Sequence, residues 1–263
     1  MFEMFEQSFI VRSFMVGILV SISAALIGAP LVLRRNAMIG DGLSHVGFGA
    51  FALATVLNLA PLEFALPIVI LMSFLILRLN GQNKIQPDAA IAMMSAGALA
   101  LGTFVISITK GVNTDINNYL FGSILSISNS DLILGAVFSI IVISIFIVCY
   151  NKIFALTFDE EFAKSVGVKT DLYNIIFAIL CSVVVVLGMR LMGALLISSL
   201  IIFPTMSAMQ VAKTFKKVTV MATVISVICF MIGMLVSYNF STPTGSTIVL
   251  VNLLVFLFCR IVR

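Results

Sequence analysis

The sequence predicts an all-α polytopic membrane protein with about eight or nine transmembrane helices. Three observations point there. Of the 263 residues, 61% are hydrophobic and only 10% are charged, whereas a soluble domain carries about 25% charged residues. The mean hydropathy is +1.22. The apolar runs approach the ~20 residues a spanning helix needs, and in lipid only helices or closed barrels satisfy every backbone group. Residues 1–263 read as one membrane domain. The first apolar run has no basic segment before it, so it reads as a span and not as a cleavable signal.

Each element has its own signal. Residues 1–12 form a short amphipathic lead-in, and Phe14 to Leu33 is the first span, closed by Arg34-Arg35. The second, shorter segment runs from Ile39 to Leu59 and holds Gly40, Gly42, Gly47 and Gly49. Glycines at such positions let another helix approach closely, or they mark a broken helix. Pro61 and Glu63 turn the chain into a third span, Phe64 to Leu79. Asp88 starts a fourth, small-residue-rich span, as an acidic residue suits a helix N-terminus. Residues 110–130 form a long polar connection with room for a short surface helix, and Leu132 to Tyr150 is the fifth span.

Asn151 to Thr170 is the most charged stretch. Asp159, Glu160 and Glu161 at the start of a helix and Lys164 near its end complement the helix dipole. Gly167 ends it, since a left-handed glycine lets a chain turn back. Phe158, Phe162, Ala163 and Val166 fall at helical spacing on one side. The sixth span is Leu172 to Gly188. The seventh, Leu191 to Val211, contains Gly193 and Pro204 and is expected to kink. A basic loop at Lys213, Lys216 and Lys217 leads to the eighth, Val218 to Tyr238. The turn at Ser241–Gly245 precedes a ninth, Ser246 to Cys259.

With strict alternation, Arg34, Arg35, Arg78, Lys84, Lys152, Lys164, Lys169, Lys213, Lys216, Lys217, Arg260 and Arg263 share one side, against Arg12, Lys110 and Arg190 on the other. The positive-inside rule then puts the N-terminus outside and the C-terminus in the cytoplasm. If the second segment dips without crossing, there are eight spans. A net charge of +4 spread over short loops is no nucleic-acid signature.

One polar pair stands out. Asp41 lies four residues before His45, the sole histidine. On a helix the two share a face, about 5–6 Å apart at Cβ, close enough to hold one divalent cation. A central Asp in hydrocarbon costs about 2.5–3.5 kcal/mol on insertion scales and is tolerated along a watered path. The alternatives are local: Asp41 as a cap of the helix after Gly40, and His45 bonded to a nearby carbonyl or serine.

Other chemistry is excluded by its absence. There is no G-x-x-x-x-G-K-[ST] phosphate loop, no H-E-x-x-H pair, no dinucleotide fingerprint and no relay of intramembrane carboxylates. That leaves a passive pore or a permease driven from outside itself. Cys149, Cys181, Cys229 and Cys259 all sit in apolar runs without a C-x-x-C and read as buried hydrophobes. Met93 and Met94 read as core packing, Asp88 as a helix-start residue, and Glu63 and Asp115 as solvated outer-loop charges.

The run Arg34-Arg35 through Gly40-Asp41, Leu43-Ser44-His45 resembles the RR-x-x-x-x-G-D-x-L-(S/A)-H signature of the membrane subunits of bacterial ABC importers for zinc and manganese. Asn118–Ser123, Thr157–Val168, Met192–Leu196 with Pro204, and Thr242–Gly245 are similar to later landmarks of that family, in order over nearly the whole chain. Gly42 departs from it, standing where Ala or Thr is usual. The resemblance implies a type II ABC importer-like fold working as a homodimer, with Asp41 and His45 contacting the transported metal. It implies that residues 157–168 form a cytoplasmic coupling helix docking on a separate ATPase, through Phe158, Asp159, Glu161, Phe162, Ala163 and Gly167. A metal-binding delivery protein would load the outer face. No permanently bound cofactor is implied, only zinc or manganese (or iron) as cargo, in a bacterial plasma membrane. A carrier or channel without an ATPase, and a cobalamin or siderophore permease of related fold, are the rival classes.

Overall fold

The computed structural model describes residues 8–79, 87–109 and 128–262. The expected surface helix in the long connection, the loop at 80–84, Asp115 and the Asn118–Ser123 landmark lie outside them, as do Lys84, Lys110 and Arg263. Among the described residues the chain forms ten helices. They are α1 Ser8–Leu33, α2 Met38–Val56, α3 Pro61–Leu79, α4 Pro87–Ile108, α5 Asn129–Phe158, α6 Glu160–Ser165, α7 Thr170–Met192, α8 Ala194–Val211, α9 Phe215–Phe240 and α10 Thr244–Val262. Eight are long and apolar enough to cross a membrane. The glycine-rich second segment is one unbroken helix of 19 residues, the same length as α3.

Three boundaries differ from expectation. Residues 8–12 are not a separate lead-in but the first turn of α1. α5 does not stop at Tyr150. It runs 30 residues to Phe158, because no Gly or Pro follows Tyr150 within it and Asn151 and Lys152 do not break a helix already propagating. Gly193 is a break between two helices, not a kink within one: its φ of 91° and ψ of 155° lie in a region open essentially to glycine alone.

The chain alternates between two ends of the bundle. At the first end, Arg12 at the start of α1 donates to Asn129 Oδ1 of α5 at 2.7 Å, and Arg190 at the end of α7 pairs with Asp131 of α5 at 3.0 Å. Leu62 of α3 lines the same crevice. At the second end, Arg34 just past α1 reaches Asn174 of α7, and Phe154 of α5 packs on Phe215 of α9, ring centres 5.3 Å apart. Arg34, Arg35, Lys152, Lys164, Lys169, Lys213, Lys216 and Lys217 belong to helix ends and turns on this second side, so the basic side chains are distributed unequally along the bundle axis.

α1, α2 and α7 form the centre, with 72%, 72% and 78% of their apolar windows buried, against 17% for α4 and for α10. The outer helices present apolar side chains such as Phe104, Val148 and Phe258 outward, as lipid-facing helices do. Met93 belongs to this surface at 72% exposure, which corrects the core reading; Met94 does pack on the core. The four cysteines are free, with Cys181 and Cys229 fully buried. Buried hydroxyls bond backbone: Ser182 donates to Ala178 O at 2.8 Å and Ser226 to Ser21 O at 3.1 Å.

The centre is tight enough for glycine to be required. A Cβ on Gly28 would overlap the Ile201 carbonyl of α8. Gly28→Ala must therefore push α1 and α8 apart. Overpacking of this kind costs about 1–3 kcal/mol, and the expected result is a lower thermal midpoint of the detergent-solubilised protein.

Candidate functional site

α2 begins after a stiff turn. Arg35 sits at φ 61°, and the amides of Arg35 and Asn36 donate to the carbonyls of Val32 and Leu31 at 3.0 and 2.9 Å. These two bonds with a left-handed residue make a Schellman ending to α1. The amide of Ile39 then donates to Asn36 O at 3.1 Å, tying the turn to the first residues of α2.

On α2 the glycines face neighbours. Gly42 meets Ile91 and Ser95 of α4, Gly40 meets Ile201 of α8, and a Cβ on Gly49 would lie 2.7 Å from Ala98 O. That packing leaves Met38, Asp41 and His45, at i, i+3 and i+7, as the uncovered stripe of this half of the helix. His45 Nε2 lies 3.7 Å from Asp41 Oδ2, with side chains 25% and 39% exposed. The helix start is at Met38, its N-cap Ala37 makes no side-chain bond, and Asp41 is therefore not a cap. Ser44 Oγ donates to Asp41 O at 2.7 Å and does not engage the histidine. His45 Nδ1 is buried with no hydrogen bond among the described residues. One oxygen and one nitrogen donor thus face a common, half-open space, a donor mixture that suits zinc or manganese. Among the described residues no group of three or more His, Cys, Asp or Glu converges. Asp88 stays in the first turn of α4.

The 157–168 segment is two pieces. Thr157 and Phe158 end α5, and Asp159 caps α6 by accepting from Phe162 N at 2.8 Å. Glu161 is exposed. Gly167, at φ 86°, closes α6, with amides of Gly167 and Val168 donating to Lys164 and Ala163 carbonyls at 3.1 and 3.0 Å. Phe158, Phe162 and Val166 are each about 60% exposed, at 61%, 62% and 59%. Ala163 does not share that stripe. It is fully buried, because one residue past Phe162 turns about 100° around the helix, toward the body of the protein. Phe154 and Phe158 stack 5.1 Å apart and both reach Phe215, so the exposed aromatic surface has a rigid base.

A polar chain behind α6 was not visible in the sequence. Asn174 Nδ2 donates to Glu160 Oε1 at 2.7 Å, and an Arg34 guanidinium N–H donates to Asn174 Oδ1 at 3.2 Å. Arg34 also lies over the Phe177 ring, 5.7 Å from its centre. Burial pulls the Arg34 pKa below the ordinary arginine value, and the Glu160 charge works against that fall. The residues forming this chain come from two helices and the α1–α2 turn, so no local spacing could have revealed it.

Comparison with known proteins follows the same lines. The family described as the ABC 3 transport family matches residues 6–263. The manganese import system permease protein ScaB of Streptococcus gordonii is 28% identical over 249 residues, covering 95% of this chain and 89% of that protein. The high-affinity zinc uptake system membrane protein ZnuB of Haemophilus influenzae is 28% identical over 253 residues, 96% of each chain. The solved structure of PsaBC from Streptococcus pneumoniae in complex with Fab superposes with a TM-score of 0.85 at 27% identity, covering 96% of this chain and 91% of that one.

Proposed function

This chain belongs to the ABC 3 transport family, and from that we propose that it is the membrane permease of an ATP-driven importer of divalent metal ions. Zinc ranks first as cargo, then manganese, then iron. The observation that carries the proposal is the Asp41–His45 pair, an oxygen and a nitrogen donor 3.7 Å apart on an uncovered stripe of α2. Relatives named for zinc and for manganese uptake support the metal class and leave its choice open.

Two donors are half of what a four-coordinate zinc takes. A second copy of the chain, related by a two-fold axis, supplies the other Asp and His, giving an O2N2 set on the path between protomers. Such donors hold zinc more tightly than manganese by the Irving–Williams order, so discrimination rests with the delivery protein. The energy comes from a separate ATPase, docked on the apolar stripe of Phe158, Phe162 and Val166. The unequal distribution of Lys and Arg supports the orientation: the second end faces the cytoplasm, with the N-terminus outside and the C-terminus inside.

The test is reconstitution. Liposomes holding this chain and its ATPase should accumulate zinc or manganese against a gradient when ATP is supplied, and the chain should copurify with the ATPase. Uphill metal movement by the chain alone, with no ATPase present, would overturn the reading in favour of a self-sufficient carrier.

A further inference from the structure

We propose that Glu160, Asn174 and Arg34 form a positioning link through which the coupling helix α6 moves the metal-ligand helix α2. The inference rests on the permease reading above and deepens it. Neither α5 nor α7, against which α6 packs, leads directly into α2. The polar chain does. Glu160 is the first residue of α6, Asn174 stands in the second turn of α7, and Arg34 follows the last residue of α1.

From Arg34 onward the transmission is backbone. The hydrogen-bonded turn Arg34–Ala37 passes straight into α2, whose fourth residue is Asp41. A displacement of the guanidinium therefore shifts the first turn of α2 and with it the Asp41 carboxylate. The link is firm where it must be. Arg34 is clamped between Asn174 and the Phe177 ring, and hydrogen bonds to charged groups are about twice as strong as neutral ones. It has room to move where it must move. A cleft of about 240 Å³, lined by Arg34, Asn36, Thr157, Phe158, Glu160 and Asn174, separates the end of α5 and the start of α6 from the α1–α2 turn. The cleft leaves α6 space to shift toward the α1–α2 turn, pulling the polar chain with it.

The direction of each hydrogen bond gives a test with its own control. Asn174 donates to Glu160 and accepts from Arg34. Asn174→Asp keeps the acceptor for Arg34 but sets two carboxylates against each other. In the full complex with its ATPase, reconstituted and supplied with zinc or manganese, this variant should still bind the ATPase and hydrolyse ATP. The metal moved per ATP should fall about tenfold, as a charged hydrogen bond is replaced by repulsion. Adding Glu160→Gln to Asn174→Asp gives the new carboxylate an amide donor, and should restore the ratio to within about twofold. Glu160→Lys, at an exposed position, removes the acceptor for Asn174 and should uncouple in the same way as Asn174→Asp, with copurification of the ATPase as the check that α6 stays folded and docked.

A purely structural role predicts less protein or a lower melting point, with an unchanged metal-to-ATP ratio in what remains. Wild-type ratios in Asn174→Asp and Glu160→Lys, or a double variant as uncoupled as the single one, would overturn the link while leaving the permease reading intact. A wild-type complex that moves no divalent metal would overturn the permease reading, and the link with it.

Discussion

Metal uptake is expected to fall to background in His45→Ala and in Asp41→Ala, with each variant present in the membrane at the wild-type amount. Losing a mere outer-shell partner of a metal ligand costs about 10–100-fold, and in the proposed function these two side chains are the ligands themselves. In the proposed two-fold assembly each protomer offers one of each, so one substitution removes both copies. Folding should be nearly indifferent. The glycine face of α2 makes the close helix contacts, while Asp41 and His45 are 39% and 25% exposed, and substitutions away from packed contacts usually stay within about 0.5 kcal/mol. The measurement is uptake of radioactive zinc or manganese in cells, beside an immunoblot of the membrane fraction. Normal uptake by both variants would remove the site; vanished protein would mean that the pair holds the fold.

Phe162→Asp should release the ATPase. The ring is 62% exposed, so the substitution touches no core, yet it places a charge in the middle of the Phe158–Phe162–Val166 stripe. Buried aromatic anchors at interfaces are worth about 2 kcal/mol or more when lost, which is roughly thirtyfold in affinity. Gly167→Pro should do the same by another route. Proline fixes φ near −65°, far from the 86° found here, and it deletes the amide that bonds Lys164 O. Copurification should fail for both variants, while zinc binding by the Asp41–His45 pair, read by titration of the purified chain, stays as in wild type. Retained copurification and transport would place the docking surface elsewhere.

What the sequence disclosed follows from how local each feature is. The spans were legible because hydropathy is a sum over neighbours in the chain. The Asp41–His45 pair was legible because i,i+4 spacing on a helix fixes proximity without any tertiary information. The end of α5 was misplaced, because Asn151 and Lys152 read as an exit from the membrane although the helix itself continues to Phe158. Hydropathy reports solvent, not backbone conformation. Gly193 was read as a kink for the same reason: its φ, and not its neighbours' polarity, makes the break. Ala163 was placed on the docking stripe because small apolar residues fit either face; only packing decides. The Glu160–Asn174–Arg34 chain joins residues up to 140 positions apart, and no periodicity carries such a distance.

The overlong α5 has a mechanical consequence. At about 1.5 Å per residue its 30 residues reach roughly 45 Å, some 15 Å more than the hydrocarbon is thick. Neither Gly nor Pro follows Gly135 within it, so the projecting tip has no hinge of its own and swings only with the entire rod. Buried residues hold it along its length, from Gly135 and Ser139 near one end to Ile153, Leu156 and Thr157 near the other. A stiff rod tilted about any point between them carries Phe158 and Asp131 in opposite senses. One helix thus ties the aromatic cluster around Phe215 to the Asp131–Arg190 pair at the far end of the bundle, and neither end can swing sideways without the other.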